Sequence, residues 1–267
     1  MSANSKPLVE LFVKASTTNK KEKGACLIGQ QWFMVLYSLV ERGLIDLRFT
    51  PVALDDPPYN YFKLNAARHL PIAWIESGTL NGQKVSDVLI QSWEALEIFM
   101  DRLNNANLNP QVSQTDVRQA ERVFEDLINH MMQFVRYNKE KPLLNTLEKI
   151  DNFLTSKGER FLLDSEITYP DCQLMPKLQH MRVVCGACKN FDIPQQFKSL
   201  CNYVANMYRT RAFIYSCPSD RDILLHYMEK NAIAKDMRLN LLGSDFLCEA
   251  PGSSHKYETV VNGSLSS

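Results

Sequence analysis

The sequence predicts two domains, an α/β domain followed by an all-helical one. The chain has 267 residues, more than one small domain needs and enough to bury a substantial core. Extended apolar runs alternate with helical periodicity up to residue 104, and from Thr115 onward helical periodicity dominates. We therefore predict one domain over residues 1–104 and a second over 114–240, joined by a linker rich in Asn, Pro and Gln. Residues 249–267 contain Pro, Gly and Ser without a period, which predicts a disordered tail.

The first half of the α/β domain reads as strand, helix, strand, helix. Leu8–Val13 is apolar and extended, and a helical run begins near Cys26 and ends at Gly43. A second strand follows at Leu44–Val52. The Asp and Pro residues at 55–58 then break the chain and introduce a short helix that is expected to reach about Ala67.

The second half adds a hairpin and a closing helix. A third strand, Ile72–Glu76, follows a Leu-Pro pair, and Asn81-Gly82 is a hairpin turn signal. Val85–Ile90 returns as a fourth strand, and Ser92 opens a helix to about Leu103. This βαβαββα order predicts a thioredoxin-like domain with parallel strands, crossover helices and a binding crevice at the carboxyl ends of the central strands.

In the second domain, apolar residues at helical spacing share one face in each of three segments. These residues are Val123, Phe124, Leu127, Met131 and Phe134, then Leu143, Leu147, Ile150 and Leu154, then Leu174, Leu178, Met181 and Val184. Thr168 and Asp171 flank Tyr169-Pro170 ahead of the third segment and predict a capping box. We expect Asp171→Ala to cost about 1 kcal/mol of stability.

The charge composition argues against nucleic acid as a partner. Lys plus Arg and Asp plus Glu both number 30, and no long block of one charge is present, so nucleic acid is not expected to bind.

The polar first residues lead straight into a strand, which predicts a cytoplasmic protein. Seven scattered cysteines indicate reduced thiols. The most apolar run, Cys26–Val40, contains two glutamines and is shorter than the ~18 residues of a spanning helix, so it predicts a buried amphipathic helix.

Cys26 is the candidate catalytic residue. It stands at the start of a predicted helix, where free backbone N–H groups and the helix dipole favour a thiolate over a thiol. Lys20, Lys21 and Lys23 just upstream add positive potential. The alternative is that Cys26 is one more buried cysteine with no chemistry.

Four further residues complete a candidate glutathione site. In a thioredoxin-like fold that uses glutathione, a cis-proline at Pro71 would expose the backbone of Leu70 to the cysteine of the tripeptide. Gln91 and Ser92, at a helix start, would hold the γ-glutamyl carboxylate. A plain helix cap is the alternative for Ser92. The order of these residues after Cys26 favours the glutathione site.

No metal site is predicted. Cys185 and Cys188 have ligand spacing, but no second pair completes a site, so a structural role is expected. The histidines at 69, 130, 180 and 226 are isolated from one another in the sequence and read as ordinary core or surface residues.

Four long segments carry a resemblance to a known family. They are LVELFVKAS, GAC..GQQWFMVLYSLVERG, FLLDSEITYPDCQLMPKLQHMRVV and FDIPQQFKSL...YRTRAFIYSCPSDRDILLHY. Together they resemble the chloride intracellular channel family, which is related to omega-class glutathione transferases and glutaredoxins. The resemblance implies a glutathione-transferase-like fold and a cytoplasmic form that also associates with membrane lipids. It further implies insertion through the segment Cys26 to Val52, self-association in the membrane, anion channel activity, and contacts with cytoskeletal proteins.

The chain departs from the family pattern in three places. Cys26 is followed by Leu-Ile-Gly where the family has Pro-Phe-Ser or Pro-Phe-Cys, so the motif holds no resolving thiol. The span from Pro71 to Gln91 is longer than the compact hairpin of glutathione transferases. The acidic loop of vertebrate members is absent between Thr155 and Phe161, which indicates an invertebrate-type member.

Two functions remain open from the sequence. The first is an anion channel formed by the inserted protein, which the resemblance implies. Glu41, Arg42, Asp46 and Arg48 oppose a lone spanning helix, because central charges cost roughly 2.5–3.5 kcal/mol each on insertion. The second is a glutathione-dependent monothiol oxidoreductase that uses Cys26, so whether the protein is an enzyme stays open.

Overall fold

The structure, a computed structural model, describes residues 5–66, 69–230 and 233 of the chain. It confirms an α/β unit followed by helices, the glutathione-transferase-like arrangement predicted from the sequence. The first unit contains β1 (Leu8–Lys14), α1 (Leu27–Glu41), β2 (Asp46–Val52), α2 (Tyr59–Phe62), β3 (Ile72–Leu80), β4 (Gln83–Ile90) and α3 (Trp93–Arg102). A 3-10 turn at Ala106–Leu108 leads to α4 (Gln114–Phe124), α5 (Leu127–Tyr137), α6 (Glu140–Lys157), α7 (Tyr169–Lys189), α8 (Lys198–Met207), α9 (Arg211–Ser216) and α10 (Asp220–Glu229).

The four strands form one mixed sheet in the order β2-β1-β3-β4. β1 and β2 run parallel and are joined by the crossover helix α1, as predicted, but β3 and β4 are antiparallel to their neighbours. The hairpin between them turns at Asn81 and Gly82, whose φ angles of 50° and 76° match a two-residue turn. The hairpin prediction is therefore confirmed, and the predicted parallel pairing is limited to β1 and β2, because a tight turn joins only antiparallel strands.

Several element ends differ from the sequence prediction for local reasons. The helix predicted to reach Ala67 ends at Phe62, and Asn65 adopts a left-handed φ of 47°, which an α-helix cannot contain. The first helix ends at Glu41, and Gly43 with a φ of 71° turns the chain toward β2. β3 continues to Leu80, beyond the predicted end.

Helix α1 lies between the sheet and the helical region. Most of its side chains are buried, including Trp32, Met34 and Leu36. Its neighbours include α7 and α9, and the Gln31 amide donates to the Tyr169 hydroxyl at 2.5 Å. Because one hydrophobic cluster runs through both regions, α1 can leave its place only if the core of the whole molecule opens.

The long helix α7 is the centre of the helical region, and its start is the predicted capping box. The Thr168 backbone N–H donates to the Asp171 carboxylate at 2.8 Å, and both residues are fully buried. All but one of the residues predicted to form the three apolar faces are buried, and Val123 is half-buried. The predicted tail, 249–267, lies outside the described residues, as do residues 234–240. The domain limits therefore stay predictions.

Candidate functional site

Cys26 forms the cap at the amino-terminal end of α1. Its backbone is extended, with φ −153° and ψ 114°, and the Gly29 N–H donates to its sulfur at 3.4 Å. The side chain is half-buried, so solvent reaches it. The structure therefore confirms that Cys26 stands at a helix start, and its chemical role stays a prediction.

Gly29 occupies the position where a resolving thiol would stand. A Cβ placed there would lie 3.6 Å from the Cys26 sulfur and 3.8 Å from the Val13 Cβ, in ordinary van der Waals contact with both. The motif therefore provides one sulfur and a close N–H donor. This arrangement suits monothiol chemistry.

The basic loop before Cys26 is less positive than the sequence suggested. Lys20 pairs with Asp55 at 2.8 Å, which offsets its charge. Burial lowers the pKa of Lys23, while nearby Cys217 and Asp222 act in the opposite direction. The expected positive potential upstream of Cys26 is therefore partly cancelled by acids that are distant in the sequence.

The other predicted glutathione residues lie at the same edge of the sheet as Cys26. Phe12 near the carboxyl end of β1 pairs with Ile72, so the preceding Leu70-Pro71 bond, which is cis, lies at that edge. Ile90 pairs with Ala73, which brings the end of β4 there too. Because Gly29 packs on Val13, the start of α1 faces this same edge. The topology therefore gathers residues that are far apart in the sequence.

Ser92 and Gln91 are exposed at the start of α3. The Ser92 hydroxyl accepts the Ala95 N–H at 3.3 Å, so the predicted helix cap is present. The Gln91 carbonyl is 3.0 Å from Nε2 of His69, which ties the two loops of this edge together. Binding of a γ-glutamyl carboxylate at this helix start stays a prediction.

Sequence reasoning missed a contact between the Cys26 loop and the far end of the chain. The Asp222 carboxylate accepts the Ser16 hydroxyl at 2.7 Å and the Thr17 N–H at 3.2 Å. It also accepts the Ser219 hydroxyl at 2.9 Å, as part of a cap on α10. A Ser219-x-x-Asp222 pattern is visible in the sequence as a helix start, but nothing in it indicates Ser16 as the partner.

The other described cysteines differ from Cys26 in their surroundings. Cys172 and Cys185 are buried, and burial raises the pKa of Cys185 to about 12. Burial also raises the pKa of Cys188 and of Cys201. These residues are held as neutral thiols, which agrees with a structural role for the pair at 185 and 188.

The histidines are not all isolated, contrary to the sequence prediction. His180 on α7 and His226 on α10 have ring centroids 6.3 Å apart, since these helices pack together. Even so, the described part of the chain contains no group of three or more His, Cys, Asp or Glu residues placed to hold a metal ion. Among the described helices, none is both long enough and apolar enough to cross a membrane.

Comparison with known proteins gives similarity over most of the chain. No known family model matches it. The Drosophila melanogaster protein chloride intracellular channel Clic is 34% identical over 226 residues, which is 83% of this chain and 81% of that protein. The Caenorhabditis elegans protein chloride intracellular channel exc-4 is 30% identical over 252 residues, covering 89% of this chain and 85% of the relative.

Solved structures show the same relationship. The crystal structure of the CLIC homologue EXC-4 from C. elegans matches with a TM-score of 0.71 and 29% identity, covering 90% of this chain and 92% of the other. An omega 1C glutathione transferase from Trametes versicolor matches with a TM-score of 0.58 and 14% identity, covering 86% and 99%. The second match shows a shared fold alone.

Proposed function

The chain belongs to the chloride intracellular channel family, and on that premise we propose that it conducts chloride after associating with and inserting into membranes. The observation that carries this proposal is the similarity, over most of the chain, to two invertebrate proteins named chloride intracellular channels. Their identities of 34% and 30% also agree with the invertebrate-type member expected from the sequence.

Insertion of the segment from Cys26 to Val52 would require a large rearrangement. In the folded form α1 is buried and β2 is paired with β1. Arg48 contacts Glu76 at 3.2 Å and the buried Glu10 at 3.7 Å, and both ion pairs would break. Because the segment keeps its own charges, we infer that inserted copies associate so that these charges face one another or a pore.

The channel proposal is tested by changing one charge in this segment. Asp46 is exposed at the start of β2, so Asp46→Asn leaves the folded form intact and lowers the cost of placing the segment in lipid. We expect the initial rate of chloride release from loaded vesicles to rise at least about threefold. Asp101→Asn, an equally exposed change on α3, is the matched control and should not alter the rate.

Equal rates for wild type, Asp46→Asn and Asp101→Asn would show that this segment does not enter the bilayer. Complete absence of chloride release in the wild type, with binding to the vesicles retained, would contradict channel activity itself.

A second candidate function is a glutathione-dependent monothiol oxidoreductase, favoured by the hydrogen bond from Gly29 to the Cys26 sulfur. In the proposed cycle the Cys26 thiolate attacks the glutathione sulfur of a mixed disulfide and releases the partner as a thiolate. A second glutathione thiolate then attacks the Cys26–glutathione disulfide. Oxidised glutathione leaves and the Cys26 thiolate is restored. We propose that Leu70, Pro71, Gln91 and Ser92 hold the glutathione at this sheet edge.

Cys26→Ser tests this second function. The substitution keeps the size of the side chain but removes the thiolate, so turnover of a glutathione mixed disulfide should fall to background. Cys201→Ser, at another half-buried thiol, is the control and should retain wild-type turnover. We expect Cys26→Ser to release chloride from vesicles as the wild type does. Loss of both activities would join them in one redox-dependent mechanism, and loss of neither would leave Cys26 a structural residue.

A further inference from the structure

A cavity lies at the opposite end of α1 from Cys26. It has a volume of about 420 Å³ and is bounded by the end of α1, residues 160–167 and the turn at 209–211. Helix α1 has 15 residues and spans roughly 22 Å, so this cavity is separate from the sheet edge around Cys26. Charged side chains line it: Arg42, Arg160, Arg209, Arg211, Glu41 and Glu166.

One of these arginines is fixed by the protein. The Arg42 guanidinium donates to the Asn105 side-chain oxygen at 2.5 Å and to the Ile167 carbonyl at 3.1 Å. It also lies 3.5 Å from the Glu166 carboxylate. Arg42 and Glu166 therefore offset each other's charge, and Arg42 holds a fixed position in the cavity wall.

The other charges in the cavity are not balanced. Arg160 lies over the Phe161 ring at 5.0 Å, while Arg209 and Arg211 take part in no ion pair within the described ranges. Three guanidinium groups thus face the cavity with one remaining carboxylate, Glu41, whose pKa is raised by burial although Arg211 opposes the shift. In a chain with a net charge of zero, this cavity carries a local excess of two positive charges.

We propose that this cavity binds a phosphate monoester dianion. A dianion balances the excess charge, and the planar guanidinium fork donates two parallel N–H groups to phosphate oxygens. Because α1 belongs to the α/β unit and residues 209–211 to the helical region, the bound phosphate bridges the two. The phosphate belongs either to a small metabolite or to the headgroup of a phosphomonoester lipid. The site belongs to the folded form and requires neither channel nor thiol activity, but Glu41 and Arg42 also lie in the segment proposed to insert, so insertion would dismantle it.

Binding of a soluble phosphate monoester is tested by calorimetric titration of the protein with glycerol 3-phosphate at low salt, with glycerol as the uncharged control. We expect binding of glycerol 3-phosphate alone, weakened by added salt. Arg209→Gln/Arg211→Gln should weaken it at least about tenfold, because two charge-assisted donors are lost. Arg118→Gln/Lys141→Gln removes two exposed positive charges outside the cavity and should leave the affinity unchanged. Glu41→Gln should tighten binding about threefold, since it removes the competing carboxylate.

The lipid source is tested by sedimentation with phosphatidylcholine vesicles that contain phosphatidic acid or lack it. If the protein sediments with phosphatidic acid vesicles and Arg209→Gln/Arg211→Gln does not, the ligand of the cavity is a lipid headgroup. If the protein binds glycerol 3-phosphate but does not sediment with these vesicles, the ligand is a soluble metabolite. Either result supports the cavity as a phosphate site. Absence of both, or equal weakening in the cavity and control double variants, would overturn it. If Arg209→Gln/Arg211→Gln fails to fold, unchanged affinity in the folded Glu41→Gln variant overturns it as well.

Discussion

Asp171→Ala gives the most direct test of how the helical region is held together. The sequence alone treats Asp171 as one half of a capping box on a core helix and predicts a cost of about 1 kcal/mol. In the structure its carboxylate is fully buried and accepts three hydrogen bonds. The donors are the Thr168 N–H at 2.8 Å, the Thr168 hydroxyl at 2.7 Å and the Leu162 N–H at 3.0 Å.

The burial of these groups changes the expected magnitude. Truncation leaves the Thr168 and Leu162 N–H groups without their acceptor in a place that water does not reach, and each such loss costs about 1–3 kcal/mol. We therefore expect Asp171→Ala to reduce the free energy of unfolding by about 3 kcal/mol at pH 7, about three times the value predicted from the sequence.

The pH dependence of this cost has a defined sign. Burial raises the pKa of Asp171 to about 6. In the unfolded chain an Asp titrates near ~3.9, so between about pH 4 and pH 6 the folded state binds more protons. The stability contributed by Asp171 is therefore fully present below pH 4 and decreases as the pH rises through 6. The cost of Asp171→Ala should be about 2–3 kcal/mol larger at pH 4 than at pH 7.

Urea denaturation of wild type and variant at several pH values measures both effects, and the comparison at each pH cancels titrations common to the two proteins. Asp116→Ala is the control, because the half-exposed Asp116 carboxylate accepts the Ser113 hydroxyl at 2.6 Å and pairs with Lys157 at 3.1 Å. Its loss should cost below about 1 kcal/mol at any pH. A cost for Asp171→Ala no larger than that of Asp116→Ala would refute the reasoning from burial. A cost that shrinks on acidification would refute the raised pKa.

Three further predictions concern other parts of the molecule. Burial lowers the pKa of His180 to about 3 and of His226 to about 4, so the unfolded chain takes up protons that the folded state does not as the pH falls from ~6.5 toward 4. The contribution of these two histidines to stability should therefore fall over that range, opposite in sign to the contribution of Asp171. His180→Leu should make the urea midpoint fall less steeply on acidification, and an equally steep fall would contradict this. Asp192→Ala removes the carboxylate that the buried Arg182 contacts at 2.6 and 2.7 Å. We expect urea denaturation to show a free energy of unfolding lower by about 3 kcal/mol, and an unchanged midpoint would be the contrary result. In Gly24→Ala the new Cβ would lie 2.2 Å from the Ala15 carbonyl oxygen. We therefore expect about 2 kcal/mol of destabilisation and slower chemical labelling of the Cys26 thiol. Labelling at the wild-type rate would show that this loop does not position the thiol.

Much of the fold follows from patterns short enough to read along the chain. The Asn81-Gly82 turn, the Ser92 cap and the box at Thr168 all depend on residues within a few positions, and each is present in the structure. Helical spacing likewise predicted which residues of α6 and α7 are buried. The placement of Cys26 at a helix start belongs to this group, because a helix end is a local event. Family membership was also readable from the sequence, through long ordered matches.

Contacts between distant segments were decided only by the tertiary structure. No sequence pattern predicts three of these contacts, which join residues far apart in the chain. They are Asp222 with Ser16, Lys20 with Asp55, and His180 with His226. The same holds for the cavity that brings together Arg42 just after α1, Arg160 in the 160–167 loop, and Arg209 and Arg211 at the start of α9. Periodicity fixes which face of an element is buried, but a charge or a hydrogen-bonding group acquires its partner and its dielectric surroundings only when the elements pack. For that reason the position of Cys26 at a helix start could be predicted from the sequence, while the burial of Asp171 and the charge balance at both ends of α1 required the folded molecule.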